Sequence, residues 1–455
     1  MTLKTNPKFN ILIIGGGISG FGASIGLART GHTITVLERS ASLQTFGGGL
    51  LISSNALRVL EEYGLLGRLK EVSERWENHT VFRHDGVVLD ILSNGANGRV
   101  FGFEMLNVTR PVYQRVLYEA AVKEGVDVRF GAKVEGIQES ERGPSVRLST
   151  GEVLSADLII GADGIKSPTR AYILNGDIAL QPNSTCYQCT IPASLMLSSP
   201  LTAPLIKEHG LQSWWGPNTH LICGRTKNGD SYSASFFIHP SPSSPLPSSS
   251  PSHTSSSNAV HSGTSDNNRK GDISHILSNI DPYEDRIKAF INLIPEENCK
   301  LWNVAQLPDL QTWVSSSGRI VVLGDAAHAM SPHLGQGAAI SIEDGGVLSL
   351  CLARTSSTLE IKKATKAYET VMKGRAERVK KAAEMSGRWK TLGEGKERER
   401  RDEGFRRRLE EEGEKGEWLR ASGHLAWVYG WEFRRESERV LEGVFGREVG
   451  EKARI

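Results

Sequence analysis

Residues Phe9–Arg39, FNILIIGGGISGFGASIGLARTGHTITVLER, constrain this fold more than any other part of the chain. Phe9–Ile14 is a short apolar run of the kind that forms a strand buried on both faces. Gly15, Gly17 and Gly20 follow as G-x-G-x-x-G. Phe21–Thr30 has helical character and Gly31 ends it. Thr33–Leu37 alternates and is β-branched like a second strand, and Glu38 closes it. In such a unit Gly15 permits the tight turn, Gly17 lets a pyrophosphate approach the backbone, and Gly20 lets the helix pack on the strand. The helix N-terminus supplies free N–H groups and a positive dipole end. Glu38, 18 residues after Gly20, can accept from ribose hydroxyls, which favours an unphosphorylated ribose. The stretch therefore predicts an ADP-binding βαβ unit without specifying which dinucleotide it takes.

A chain of 455 residues can hold two or three domains. Its 54 Lys and Arg against 52 Asp and Glu give a net charge of +2, which argues against a nucleic-acid partner. Five scattered cysteines suit a reducing compartment, not a disulfide framework. Cys186 and Cys189 form a C-x-x-C with no second pair or nearby His, so two thiols in a strand are expected and no metal. No apolar stretch reaches the ~18 residues needed to span a bilayer. No leader segment is visible, and the final Ala453-Arg454-Ile455 only loosely resembles a peroxisomal ending. A cytoplasmic location is expected, with the peroxisome as the alternative.

Two further stretches combine a buried strand with a glycine-bearing turn. Asp157–Arg170, DLIIGADGIKSPTR, places Asp163 in a tight turn at the carboxyl end of a strand, where open α/β sheets bind ligands. Gly318–Gly346 reads GRIVVLGDAAHAMSPHLGQGAAISIEDGG. There Gly324–Asp325 ends a strand, Pro332–Gly337 is a turn rich in free N–H groups, and a helix starts at Ala338. An acid followed by an N–H-rich helix start suits a polyol joined to a ring with electron-poor edges.

Between these stretches, Arg75–Asp90 is expected as strands with a turn at Asp85–Gly86, and Asn94–Gly98 as loop. Arg110–Pro111 opens a helix. Gln181–His239 is strand-rich and aromatic and could wall off an apolar pocket. Residues 240–272 are dominated by Ser and Pro and are expected to be a disordered insertion. Ala364–Arg388 is an amphipathic helix. Glu394–Glu417 carries eighteen charged residues in twenty-four, which predicts a solvated helix or a disordered arm. Trp418–Phe445 regains aromatics and is expected to dock back on the body.

Taken in order, the G-x-G-x-x-G, the Asp163–Gly164 stretch and the Gly324–Asp325 stretch resemble the FAD-dependent aromatic hydroxylases, most closely the fungal salicylate hydroxylase-like enzymes. The resemblance covers about residues 8–240 and 273–390. It implies an α/β fold: a Rossmann-type, glutathione reductase-like FAD domain (1–75, 103–178 and 300–390) with an inserted mixed β-sheet substrate domain (76–102 and 179–299). A charged C-terminal helical region (391–455) follows. It further implies that Glu38, with Arg39 beside it, binds the adenosine end, and that Gly48 and Gly49 belong to a loop passing near FAD. Arg110 would open a helix beside the cofactor. Asp163 would serve the pyrophosphate region and transient NADPH or NADH. Asp325 would hold the ribityl chain, and Gly335, Gln336, Gly337 and Ala338 would place N–H groups near the pyrimidine side.

The chemistry the resemblance implies is flavin reduction by NAD(P)H, formation of a C4a-hydroperoxide with O2, and oxygen transfer to an electron-rich aromatic carbon. A base near pH 7 would activate a phenol, and His333 matches the family's histidine for that role. His328 is expected to pack structurally. Many relatives carry a substrate-orienting arginine where this chain has Tyr187–Gln188–Cys189. Gln188 cannot pair with a carboxylate as arginine would, so Arg225 and Tyr232 become the substitute candidates. A larger, polyketide-like phenol fits better than a small benzoate. Epoxidation of an alkene, or a non-catalytic flavin-binding role, are the alternatives. The W-x-W-x-I-P of flavin halogenases is not matched at Trp214–Pro217.

Overall fold

The computed structural model describes residues 8–43, 47–240, 269–411, 416–417, 420–446 and 455. The first apolar run becomes strand Asn10–Ile14, whose last four residues are buried. It sits at the centre of a five-stranded sheet ordered Ile320–Val322, Leu158–Gly161, Asn10–Ile14, Thr33–Glu38, Asp127–Phe130. All neighbours pair in parallel. Strands buried on both faces read as unbroken apolar runs, which is how Leu158–Ile160 and Ile320–Val322 appear. Because the strands are parallel, the turns after Ile14, Gly161 and Val322 leave the sheet from one end and stand side by side. Three stretches separated by hundreds of residues in sequence thus become three adjacent loops.

A second, eight-stranded sheet has the order Arg269–Lys270, Cys299–Gln306, Gln181–Pro192, Ser231–Ile238, Thr219–Arg225, Gly210–Gly216, Asn78–Arg83, Val88–Ser93. It is mixed, since Gly210–Gly216 runs parallel to Asn78–Arg83 while the other pairs are antiparallel. One face is sealed by helices Ile273–Ser278 and Asp285–Ile291 over a core that includes Tyr187, Cys189, Tyr232 and Phe236. The other face looks toward the parallel-sheet body.

Helix Ile18–Arg29 packs on helix Gly337–Leu352 at glycine contacts. A Cβ on Gly22 would lie 2.6 Å from Ile342, and one on Gly345 would lie 2.8 Å from the Ala23 backbone. This close packing holds the N-termini of both helices at the same end of the parallel sheet.

Three expectations need correction. Asn94–Phe101 is a helix, not a loop. The Ser93 hydroxyl caps it at Ala96 N–H, and the Asn94 amide bonds Trp76 and Met105 backbone, so side-chain capping overrides a glycine-rich composition. Of the Ser/Pro-rich stretch, 241–268 lie outside the described residues, as do Phe46 and Trp418. Its far end is ordered. Arg269–Lys270 pair with Cys299–Gln306, and the Asp272 carboxylate caps the helix that follows. The charge-dense segment takes the helical one of its two readings, and most of that helix is exposed, but it is not solvated all round. Helix Lys396–Glu410 buries Arg401 and Phe405, sets Phe405 edge-on to Trp215 and pairs Arg408 with Asp90. Its partners come from the distant strands Gly210–Gly216 and Val88–Ser93, which local composition does not reveal.

Candidate active site

The first of the three loops is organised by Glu38. Its carboxylate accepts from Gly16 N–H at 2.7 Å and from Ser40 N–H at 2.8 Å. Gly15 adopts φ +109°, and a Cβ there would meet the Ala162 carbonyl oxygen at 2.3 Å. A Cβ on Gly20 would fall 1.9 Å from the Gly15 oxygen, whereas one on Gly17 would meet nothing within 4 Å. Gly15 and Gly20 therefore serve close backbone packing, and Gly17 faces open space at the bare N-terminus of helix Ile18–Arg29. The Gln114 amide donates to the Gly16 carbonyl at 2.7 Å and braces the turn from below. Glutamine inside an amphipathic helix gives no sequence signal for that role.

The second loop is fixed by Asp163. Its carboxylate accepts from Ser167 Oγ, from Thr169 Oγ1 at 2.7 Å and from Thr169 N–H at 3.0 Å. Burial raises its pKa and these hydrogen bonds oppose the rise. Three protein donors occupy the carboxylate, so Asp163 shapes the turn. Arg170 then links this loop to the third, donating to the Ala326 carbonyl at 3.1 Å.

The third loop begins at Gly324, whose φ of +62° brings it against Ser19 of the first helix. Asp325 follows, half-buried, and its carboxylate accepts no hydrogen bond among the described residues. Gly335 and Gly337 have open space where a Cβ would stand. The Gln336 side chain turns inward, donating to Ser53 Oγ at 3.0 Å and accepting from Asn55 at 3.1 Å. The Gly335 N–H is taken by the Pro332 carbonyl at 2.9 Å, which corrects its expected role, so this stretch offers backbone N–H groups at Gln336–Ala338 and keeps the Gln336 amide for structure.

Two acids in helix Gly337–Leu352 anchor this loop, and neither was singled out from the sequence. Asp344 accepts from Gly324 N–H at 2.8 Å, from His328 Nε2 at 2.7 Å and from Tyr368 OH at 3.1 Å. Glu343 is fully buried, accepts twice from Arg375 and accepts from Asn55 at 2.6 Å. Adjacent acids inside an otherwise apolar helix are the signal that marks them. Burial alone would depress His328, but the Asp344 carboxylate outweighs it and the pKa ends raised. A raised histidine stabilises fully below its unfolded value of about 6.5 and loses that contribution as pH climbs through the folded value. Urea midpoints of the protein and of His328→Gln should therefore differ most on the acid side of about pH 6.5. The gap should narrow above it, and a gap that widens with rising pH would contradict the assigned ion pair.

His333 lies between the third loop and the eight-stranded sheet. Its ring packs edge-on to Phe237 and His220, at centroid distances of 5.5 and 5.0 Å. Its Nε2 bonds Asn183 Oδ1 at 3.1 Å. Amide oxygens only accept, so Nε2 carries the hydrogen and Nδ1 keeps a free lone pair. Nδ1 has no protein partner. Burial, with the Lys390 ammonium and His239 adding to it, pushes the pKa down to about 2. His333 thus has the lone pair expected of it, but its surroundings do not poise it as a base near pH 7.

Strand register decides the remaining candidates. Gln188, Ser235 and Ile222 form one cross-strand row, and Cys186, Phe237 and His220 form the next on the same face. A Cβ on Gly48 would strike the Gln188 amide at 2.2 Å, so this face meets the Gly48–Gly49 segment. Tyr232 and Arg225 pair with each other on the opposite face. Tyr232 is fully buried against Phe290, with its hydroxyl on Gln212 and Cys223. Arg225 is engaged by Glu74 at 3.5 Å and His209 at 3.0 Å. Neither faces the site, which corrects their expected substrate contact: one residue of register separates the two faces. Arg110 is exposed, with its backbone N–H on the Gly48 carbonyl. Arg39 is exposed next to Glu38.

These features fit FAD. Open glycine cradles stand at two helix N-termini, and an unsatisfied carboxylate at Asp325 lies between them. Glu38 would stand at the adenosine ribose, Asp325 at the ribityl chain and the Gln336–Ala338 N–H groups at the pyrimidine edge.

A family model described as FAD binding domain matches residues 8–198 and 299–383. The chain is 25% identical over 430 residues to FAD-dependent monooxygenase OpS4 of Beauveria bassiana, spanning 93% of this chain and 95% of the relative. Among solved structures it is similar to CtdE in complex with FAD and a substrate, with TM-score 0.77, 20% identity and 96% and 98% of the two chains covered. It is also similar to a salicylate hydroxylase substrate complex, with TM-score 0.75, 21% identity and 95% and 98% covered.

Proposed function

Because the chain belongs to the FAD binding domain family, as an FAD-dependent monooxygenase of the aromatic hydroxylase type, we propose that it hydroxylates a phenolic secondary metabolite at the expense of NAD(P)H and O2. Bound FAD would supply electron transfer from the nicotinamide and activation of oxygen. The observation that carries the reading is the position of His333. One short loop joins the cofactor cradle at Gly335–Ala338 to an imidazole facing the sheet that carries Gln188 and Phe237.

The chain's own residues orient the substrate and handle its proton. The Asn183 carbonyl oxygen fixes the His333 tautomer, which leaves Nδ1 to accept a hydrogen bond from the substrate hydroxyl. With its pKa so low, the ring polarises the O–H bond and does not remove the proton beforehand. Gln188 is tied to Ser233, the Ala234 carbonyl and Ser235, so it presents a neutral surface. That disfavours a small carboxylate-bearing benzoate and suits an extended neutral phenol.

The test is substrate-stimulated NAD(P)H oxidation across a panel of fungal phenolics, with products weighed for the gain of one oxygen. FAD-loaded protein whose NAD(P)H use no phenol stimulates would end this reading and favour a non-catalytic flavin protein. His333→Gln should lower turnover about a hundredfold while sparing FAD content. Undiminished turnover would remove the histidine from the mechanism.

A further inference from the structure

His220, His239 and His333 converge from three separate elements: strand Thr219–Arg225, the residue that follows strand Ser231–Ile238, and the Pro332–Leu334 turn. Their ring centroids stand 5.0 Å (His220–His333), 4.9 Å (His239–His333) and 5.4 Å (His220–His239) apart. One ring nitrogen from each lies within 4.8 Å of the others. His220 and His333 are buried and His239 is half-buried.

Each ring leaves a buried nitrogen without a protein partner: Nδ1 of His220, Nε2 of His239 and Nδ1 of His333. A buried polar atom left unpaired costs about 1–3 kcal/mol, so three in one place point to a ligand that takes lone pairs. Asn183 supports this arrangement, because a carbonyl oxygen on the far nitrogen of a histidine is the usual partner of a metal-ligating ring.

We propose that His220, His239 and His333 form a three-histidine site for a divalent d-block cation such as Zn2+ or Co2+, with a fourth position open. Neutral imidazoles suit these metals, and three protein nitrogens with an open position is a known zinc arrangement. Metal–nitrogen bonds of about 2.0–2.1 Å require the rings to draw together from their present spacing. His239, the least buried of the three and set at the end of its strand, is the ring best able to move. The surroundings also keep the rings free of protons. His239 is pushed down to about 4, first by burial and then by Lys390, and His220 is held well below its ordinary value by burial, His333, Lys390 and His239.

Lys390 is the charged group that acts on all three rings, and its ammonium donates to the His333 carbonyl. It opposes a cation and would favour an anion, which makes it the discriminating residue. The site shares His333 Nδ1 with the proposed substrate contact, so a bound metal would exclude the substrate hydroxyl. The metal proposal stands on the trio's geometry and does not require the hydroxylase reading.

The experiment uses the full FAD-loaded chain after chelator treatment. Co2+ is titrated and followed by its ligand-field bands to the red of flavin absorption, and Zn2+ is followed by equilibrium dialysis with elemental analysis. One equivalent should bind. His239→Ala should weaken binding by at least about a hundredfold, since even the indirect partners of ligating histidines cost 10–100-fold. Asn183→Leu should weaken it about tenfold, Lys390→Met should tighten it, and His424→Ala should change nothing. If a buried variant at His220 fails to fold, His239→Asn with intact FAD content carries the same test. Absence of stoichiometric metal, equal binding by His239→Ala, or weaker binding by Lys390→Met would overturn the proposal. Metal binding, together with no phenol-stimulated turnover by the metal-free protein, would leave this site standing and the proposed function refuted.

Discussion

Asp325→Ala should yield protein that purifies with little or no flavin. Its carboxylate stands at the end of strand Ile320–Val322, half-buried and without a described hydrogen-bond donor, and on the proposed assignment it accepts from ribityl hydroxyls. A hydrogen bond to a charged group contributes about 1.5–3 kcal/mol, so losing even one should weaken FAD about ten- to hundredfold. Flavin absorbance of the purified protein, and reconstitution of the apoprotein with FAD, measure this directly. Full yellow occupancy would show that the Gly324–Asp325 assignment is wrong. Asp163→Ala is the informative companion. Its carboxylate is filled by Ser167 and Thr169, so that change should loosen the turn and lower stability more than it changes a contact to the cofactor.

Arg375→Met should be the most destabilising single change near the site. It leaves Glu343 with 0% exposure and without its guanidinium partner. Breaking a buried pair from one side costs about 3–5 kcal/mol. Arg375 also stacks over Trp431 at 4.2 Å and donates to the Val428 carbonyl at 3.0 Å, so the C-terminal segment loosens with it. Urea unfolding followed by tryptophan fluorescence should show a large fall in midpoint. Adding Glu343→Leu should recover part of the loss, because removing both charges is often near neutral. Recovery stays incomplete, since Glu343 also orients Asn55 and through it Gln336. A midpoint unchanged by Arg375→Met would mean that Glu343 finds another partner in the folded protein.

The three loops of the proposed cofactor site were legible because their information is local. Strand, glycine turn and helix start follow one another in sequence at Gly15, Gly161 and Gly324, and each turn's chemistry is written in its own few residues. The substrate half was not, because there the information is register. Ser231–Ile238 alternates plainly, yet nothing in it says which parity meets the core, and choosing Tyr232 and Arg225 chose the wrong one. His239 and Asn183 carry no local mark at all; only the folded sheet brings them to His333. The charge-dense helix misled for a related reason. Arg408 and Phe405 look like solvent residues until Asp90 and Trp215 arrive from more than a hundred residues away.

The strand order of the parallel sheet also has a consequence for biosynthesis. Its central strand is made first, at residue 10, but its neighbour Leu158–Gly161 stays an open edge until Ile320–Val322 has emerged. Chains emerge N-terminus first, and such long-range pairings form slowly. A nascent chain therefore carries an unpaired apolar edge through the synthesis of the last six strands of the eight-stranded sheet. On the proposed assignment, capture of flavin waits until Asp325 and the helix behind it have left the ribosome. Slowed translation and a free flavin supply should favour recovery of the folded protein more than any change to its surface.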